Sequence, residues 1–207
     1  MNSIEVMGNL QATRTKTRLM VSRFFGLSIL ILLVFGSAET GSLFLDPALF
    51  FLGVLLAVVG FCGRLWCLSY IAGRKKRILV TVGPYSICRH PLYFFSLVGG
   101  IGLGLCTETV SAAVLFLLAF AVYYPHIIQT EEKFLSVNFP EYEEYKRRVP
   151  LFFPSWSNFS DGNVMVNAGD LRSEIVAAGG FLLFIGVFEL VEFLHHVRVL
   201  PNYFIIP

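Results

Sequence analysis

Charge is scarce in this chain: Asp, Glu, Lys and Arg make up 14% of its 207 residues, against 56% hydrophobic and 15% aromatic. With a mean hydropathy of +0.70, that shortage of polar groups excludes an ordinary soluble domain. Cysteine is sparse too. Cys62, Cys67, Cys88 and Cys106 are scattered, three of them in or beside apolar runs, and no CxxC pair occurs; a disulfide scaffold and a cysteine-based zinc site are therefore excluded. Two-residue alternation of apolar and polar positions is missing, so the apolar stretches do not read as transmembrane β-strands. No small-x-small cleavage site precedes the later apolar runs, so the first run is expected to stay as a membrane anchor and not as a cleaved signal peptide.

What the chain does have is five long apolar segments, at about 20–38, 48–71, 91–106, 109–128 and 174–195. Each approaches the roughly 20 residues a helix needs to cross a bilayer. The expected fold class is all-α: an integral membrane protein of about five transmembrane helices, treated as a single membrane domain over 1–207. Residues 157–172 read as a polar linker before the additional C-terminal helix at 174–195.

The basic residues are unevenly placed. Arg14, Lys16, Arg18 and Arg23 open the first span; Arg74, Lys75, Lys76, Arg77 and Arg89 lie between the second and third; Lys133, Lys146, Arg147, Arg148 and Arg172 lie between the fourth and fifth. With five crossings these fourteen of the sixteen basic residues share one side. The positive-inside rule makes that side cytoplasmic, N-terminus included, in a multi-pass protein. Four positive charges near the N-terminus are the ordinary flank of a first membrane helix, and no nucleic-acid partner is expected.

Polar groups cluster at the same surface. In Gly60-Phe61-Cys62-Gly63-Arg64-Leu65-Trp66 an arginine falls in or near the end of the second span, where it needs a carboxylate, a carbonyl cluster or water. Snorkelling towards the basic loop and orienting a polar site are both open to it. Gly83-Pro84 is a turn signal, after a short extended piece at 78–82. Pro91 suits the first turn of the third span, which sets Arg89 and His90 at that helix's N-terminal rim, where free N–H groups receive anions. Tyr93 lies one turn inside. Gly99, Gly100, Gly102 and Gly104 permit close approach of another helix or a flat ligand. Pro125 is expected to kink or open the fourth span. From Glu131 to Arg148 the chain reads as an amphipathic surface helix, or two short ones, with Phe134, Leu135, Phe139, Tyr142 and Tyr145 on its apolar side. Glu189, Glu192 and His195 share a rough helical face, which falls short of a metal ligand set without help from other helices; no metal site is expected.

Taken in order, Gly60-Phe61-Cys62-Gly63-Arg64-Leu65-Trp66, Gly83-Pro84-Tyr85, Arg89-His90-Pro91-Leu92-Tyr93, Glu131-Glu132-Lys133-Phe134-Leu135 and Phe139 through Pro150 resemble the core of the isoprenylcysteine carboxyl methyltransferase and phospholipid methyltransferase group of integral membrane enzymes. The likeness covers 60–154. It implies S-adenosyl-L-methionine as methyl donor, held at the cytoplasmic face by His90 and Tyr93, with Arg89, Pro91, Tyr85 and Glu131 shaping or lining the donor site. It implies catalytic roles for Glu131, Glu132 and Arg148. The implied acceptor is membrane-associated or small and hydrophobic: a prenylated carboxylate, a lipid or a thiol. Two other classes compete, an NADPH-dependent reductase like the membrane sterol reductases and a non-catalytic lipid-binding scaffold. The residues fix no oligomeric state and no natural acceptor.

Overall fold

The computed structural model describes residues 36–38, 44–72, 78–162 and 204–206, with isolated positions between 172 and 197. Residues 20–35 of the first apolar segment, the basic run Arg74 to Arg77, and Glu189, Glu192, His195 and His196 lie outside the described residues. The sequence draws one domain over 1–207; the chain clusters into two compact units, one of Met1–Ser37 with Phe188–Ile206, the other of Ala38–Val187 with Pro207.

The described residues are mostly helical: α1 Leu45–Ile71, α2 Pro84–Ile87, α3 Pro91–Leu105, α4 Val110–Asn138 and α5 Tyr142–Arg148, followed by a 3-10 turn at Trp156–Asn158. The all-α class stands, with one small addition. Two three-residue strands, β1 Gly36–Ala38 and β2 Phe204–Ile206, pair in a two-stranded sheet, and all of it but Ala38 falls in the first unit. Phe204, Ile205 and Ile206 are aromatic and β-branched, the side chains that favour extended backbone.

In the second unit α1 and α4 are long and apolar enough to cross a membrane, at 27 and 29 residues. At 1.5 Å per residue each runs roughly 40 Å. Both show an inside-out pattern. Phe51, Leu52, Leu55, Val58 and Val59 of α1 and Val114, Leu115, Leu117, Leu118 and Val122 of α4 are exposed, whereas Gly53, Ala57, Gly60 and Gly63 are buried. On α1, large apolar groups outside and glycines inside suit a helix whose solvent is hydrocarbon, where close backbone packing replaces a hydrophobic core; α4 buries Ala113, Phe120 and Ile128.

The glycines set how the helices meet. A Cβ on Gly53 would lie 2.6 Å from the Cys106 backbone nitrogen, and one on Gly60 or Gly102 would strike the backbone of Gly99 or Ala57. Because 53 meets 106, 57 meets 102 and 60 meets 99, α1 and α3 run antiparallel in backbone contact. On the other side of α3, a Cβ on Gly104 would lie 2.6 Å from Ala113 Cα of α4. The α3 glycines are thus used in helix packing, one of the two uses the sequence permits.

Helix α3 has 15 residues, about 22 Å, less than the roughly 30 Å of a hydrocarbon layer. A four-residue turn joins it to α4, fastened by the Thr107 hydroxyl, which donates to the Gly104 carbonyl at 2.7 Å and meets the Thr109 hydroxyl at 2.7 Å. Antiparallel packing from that turn brings the far part of α4 back beside the start of α3.

Two local expectations are corrected here. The fourth apolar segment does not end near 128: the helix runs through Pro125 to Asn138. Proline removes one i to i−4 bond, and the turns on either side, among them Thr130 bonded to the His126 carbonyl at 2.8 Å, keep the helix going. Consequently Glu131 to Asn138 is the end of α4, not part of a separate surface helix, and only Tyr142–Arg148 forms α5. Nor is α5 a rod resting on the surface by one face: Tyr142 and Tyr145 are fully buried, packed with Val149, Leu135, Phe139 and Leu79. The stretch 78–82 contains no strand.

Candidate donor site at the start of helix α3

The loop before α3 is built around Gly83, whose φ of 60° is open to glycine without strain. A side chain there would also strike the Tyr70 ring. Pro84 starts the single turn α2, and Cys88 and Arg89 return the chain to His90, the N-cap residue of α3, with Pro91 at the first helical position. The segment after α5 straps this loop down. Arg89 N–H donates to the Pro150 carbonyl (2.9 Å), Ser155 N–H to the Ile87 carbonyl (2.9 Å), and Gly83 N–H to the Ser160 carbonyl (2.8 Å). Ser160 N–H donates to the Ser86 hydroxyl at 2.9 Å.

So held, the loop and α3 present three side chains to α4. Tyr93 donates its hydroxyl proton to Glu131 Oε2 at 2.9 Å. Arg89 Nη1 lies 2.5 Å from Glu132 Oε1. His90 reaches both acids, Nδ1 lying 3.9 Å from Glu131 Oε2 and Nε2 3.5 Å from Glu132 Oε1. Tyr142 of α5 adds a hydrogen bond to Glu132 Oε1 at 3.0 Å. A second tyrosine of α5, Tyr145, donates to the Tyr85 carbonyl at 2.6 Å, tying α5 to α2.

The two acids are adjacent in sequence and differ in surroundings. The Glu132 side chain is 17% exposed and Glu131 35%. Glu132 is held by Arg89, His90 and Tyr142 together, an arrangement that compensates a largely buried charge. Glu131 is held by Tyr93 and reaches the surface. The Tyr142 phenol is pushed up by burial and by the Glu132 carboxylate beside it, and the Tyr145 phenol by burial and its neighbour Tyr142. Both stay protonated donors at neutral pH.

Some buried polar atoms here have no hydrogen-bond partner: His90 Nε2, Arg89 Nε and the Tyr85 hydroxyl. Buried polar groups are nearly always satisfied, and exceptions mark places where something else binds. Aromatic rings stand against the same groups. The His90 and Tyr93 rings stack with centroids 5.8 Å apart, Tyr93 meets Tyr124 edge-on at 5.2 Å, and Tyr124 stacks on Phe120 at 3.7 Å.

Of the residues singled out from sequence, the fold therefore brings Arg89, His90, Tyr93, Glu131 and Glu132 together, with Pro91 setting the start of α3 and Tyr85 packed behind the loop. Arg148 is not among them. Its side chain is 68% exposed and lies 3.8 Å from Glu144 one turn back on α5, because α5 turns its tyrosines inward and its charges to water. Tyr124, Phe120 and the strap at 150–162 were missed by sequence reasoning. The only signals for them were the Tyr123-Tyr124 pair and the aromatic run Phe152 to Trp156. Among the described residues no group of three or more His, Cys, Asp or Glu stands close enough to hold a metal ion.

Comparison with known proteins gives three results. No solved structure matches. The chain is 40% identical over 194 residues, 93% of its length and 91% of the other's, to a nickel-cobalt-cadmium resistance protein of Alcaligenes xylosoxydans xylosoxydans. It is 40% identical over 187 residues, 90% of its length and 87% of the other's, to a cobalt-zinc-cadmium resistance protein of Cupriavidus metallidurans. A more distant relative, the protein-S-isoprenylcysteine O-methyltransferase of Schizosaccharomyces pombe, is 32% identical over 81 residues, 39% of this chain and 34% of that protein. The pattern of the phospholipid methyltransferase family matches residues 48–142, a range that takes in nearly all of α1, the loop carrying Arg89 and His90, α3, α4 and the first residue of α5. Arg89, His90, Tyr93, Glu131 and Glu132 all lie inside that range, over which the chain matches the phospholipid methyltransferase family.

Proposed function

We propose that this protein transfers a methyl group from S-adenosylmethionine to an acceptor delivered by the membrane. One observation carries the reading: Arg89, His90 and Tyr93 at the start of α3 converge on Glu131 and Glu132 of α4, while Arg89 Nε remains buried without a hydrogen-bond partner. A free guanidinium N–H fits a carboxylate and the more open Glu131 fits a cationic group, the two kinds of charge that the donor carries.

The donor, when bound, supplies a methyl group made electrophilic by its sulfonium charge. The protein's task is then positioning, which in methyl transfer is the larger part of catalysis. His90, Arg89 and the N-terminal rim of α3 receive the donor's carboxylate. Glu131, more open than Glu132, meets its cationic end. Tyr93 and Tyr124 offer ring faces to the sulfonium. Glu132 is the positioning acid, fixing Arg89, His90 and Tyr142 in one frame. An amine or thiol acceptor has a proton to lose before attack, and Glu131 is the reachable base for it; a carboxylate acceptor needs none. Arg148, in water beside Glu144, is given no step.

In this reading the site opens to the cytoplasm of a multi-pass protein with a cytoplasmic N-terminus, and the acceptor enters between helices from the bilayer. The likeness over nine-tenths of the chain to proteins named for metal resistance favours methylation of a membrane-associated component in cells exposed to such metals. Incubation of the purified protein with methyl-labelled donor and a membrane extract from its own cells tests the reaction. Label in a membrane component, lost with His90→Ala, is the expected result; no label in any fraction contradicts it.

A further inference from the structure

The donor site gives the strap after α5 a task for its inner side and none for its outer side. From Val149 to Ser160 the chain carries no charged residue and four aromatic ones, Phe152, Phe153, Trp156 and Phe159. Adjacent rings face opposite ways. Phe152 turns in, meeting Phe94 of α3 at 5.8 Å and Phe120 of α4 at 6.0 Å. Phe153 turns out and is 75% exposed; Trp156 is 66% exposed. The inner side reaches the donor residues. Phe120 stacks on Tyr124, which meets Tyr93, and Arg89, Ile87 and Gly83 of the donor loop share backbone hydrogen bonds with Pro150, Ser155 and Ser160.

The outer side lies at the depth where a bilayer turns polar. Trp156 stacks on Trp66 of α1 with centroids 6.2 Å and planes 6° apart, and Phe159 stands 6.3 Å from the same Trp66 ring. Trp66 sits about a turn and a half before the end of α1. Counted from the start of α1, a hydrocarbon layer of roughly 30 Å uses about 20 residues and ends beside Trp66. Tryptophan settles at that depth, its ring in the apolar edge and its N–H towards water. The charges agree. Lys146, Arg147 and Arg148, exposed in the last turn of α5, adjoin the strap, and the Asn158 amide donates to the Arg148 carbonyl at 3.0 Å. The acids Glu143 and Glu144 stand in the first turn of α5. Cations beside an uncharged aromatic run suit an anionic lipid surface.

We propose that the strap is an interfacial lipid contact: Phe153, Trp156 and Phe159 lodge in the headgroup layer on the donor side of the membrane, and this contact holds Phe152 and the strap backbone against the donor loop. The partner is a lipid surface carrying negative charge. The proposal rests on the membrane-spanning part of the reading above and goes beyond it, because the order of the donor loop then depends on lipid.

The test uses the full chain in nanodiscs of phosphatidylcholine and phosphatidylglycerol. With two tryptophans in the sequence, Trp66→Phe leaves Trp156 as the sole emitter. Lipid brominated high on its acyl chains is expected to remove about half of the Trp156 emission, lipid brominated near the chain ends much less, and acrylamide in the water little. Quenching by acrylamide and by neither bromolipid overturns the proposal. So does shielding from all three, which would give this face to a second copy or to another part of the chain. The hold on the donor loop is read at Cys88, which is fully buried there. Phe153→Ser combined with Trp156→Ser is expected to raise iodoacetamide labelling of Cys88 about tenfold, as local opening does, while Cys106, buried at the end of α3, stays unlabelled. Unchanged Cys88 labelling refutes the hold. Labelling of Cys106 as well marks a variant that fails to fold, and the quenching pattern then decides alone. Neither readout involves the methyl donor, so failure to bind S-adenosylhomocysteine defeats the methyl-transfer reading alone, and a water-exposed Trp156 defeats this proposal alone.

Discussion

The Tyr93 hydroxyl meets Glu131 Oε2 at 2.9 Å across 38 positions of sequence, and that bond closes the end of the α3–α4 pair around the proposed donor site. Tyr93→Phe keeps the ring stacked on His90 and removes only the donor to Glu131. One hydrogen bond to a charged group is worth about 1.5–3 kcal/mol. We predict S-adenosylhomocysteine binding weakened about tenfold by calorimetry, with the protein still folded. Unchanged affinity would remove Tyr93 from the site.

Glu132→Gln should be the more damaging of the two acid substitutions for stability. It leaves Arg89, 10% exposed, without its countercharge and His90, 4% exposed, without its carboxylate neighbour, and breaking one side of a buried pair costs about 3–5 kcal/mol. Glu131→Gln disturbs a more open group. Thermal inactivation in detergent is expected to quicken markedly for Glu132→Gln and little for Glu131→Gln; the reverse order contradicts the roles assigned here.

Arg148→Ala tests the residue that sequence reasoning placed near the reacting groups. Its exposed pair with Glu144 is worth about 0–1 kcal/mol. Donor affinity within about twofold of wild type is predicted, and a larger loss would show that α5 turns Arg148 inward when the donor binds.

Burial pushes the Cys88 thiol up to about 12. At pH 8 that leaves about one thiol in ten thousand as the reactive thiolate. Mass spectrometry after iodoacetamide treatment should find Cys88 unmodified in the folded protein at pH 8 and modified once the protein is denatured. Because the folded value is raised, the thiolate fraction grows about tenfold per pH unit and stays small through pH 10. Rapid labelling at pH 8 would mean that the strap over 150–162 does not cover this loop.

Gly60 and Gly102 admit no side chain, since a Cβ on either meets backbone of the facing helix. Gly60→Val and Gly102→Val are each expected to cost at least the 1–3 kcal/mol typical of overpacking, seen as loss of monodisperse protein after extraction. Normal behaviour of both would contradict the α1–α3 contact.

The extent of α1 and α3 was legible in the apolar runs and in Pro91, because hydrophobic length and helix-start chemistry are local properties. The pairing of Arg89 and His90 with Glu131 and Glu132 was legible through the resemblance; no spacing rule reveals a contact between helices. The end of the fourth apolar run near 128 misled, since α4 continues to Asn138 through residues too polar to register in an apolar run. Tyr142 and Tyr145 misled for a related reason: three-residue spacing gives one helix face, but whether that face meets lipid or protein depends on what Leu135, Phe139 and Leu79 bring to it. The strap, with Arg89, Ser155, Gly83 and Ser160 in its backbone bonds, left almost no trace in side-chain pattern because main-chain groups make most of it.

The central claim is that the residues gathered at the start of α3 hold S-adenosylmethionine. Its most direct test is calorimetric titration of the purified full chain with S-adenosylmethionine, S-adenosylhomocysteine and NADPH, repeated for His90→Ala and Glu131→Ala. The account predicts saturable binding of both adenosyl compounds, weakened at least about tenfold in each variant, and none of NADPH. Saturable NADPH binding with no response to either adenosyl compound would contradict it.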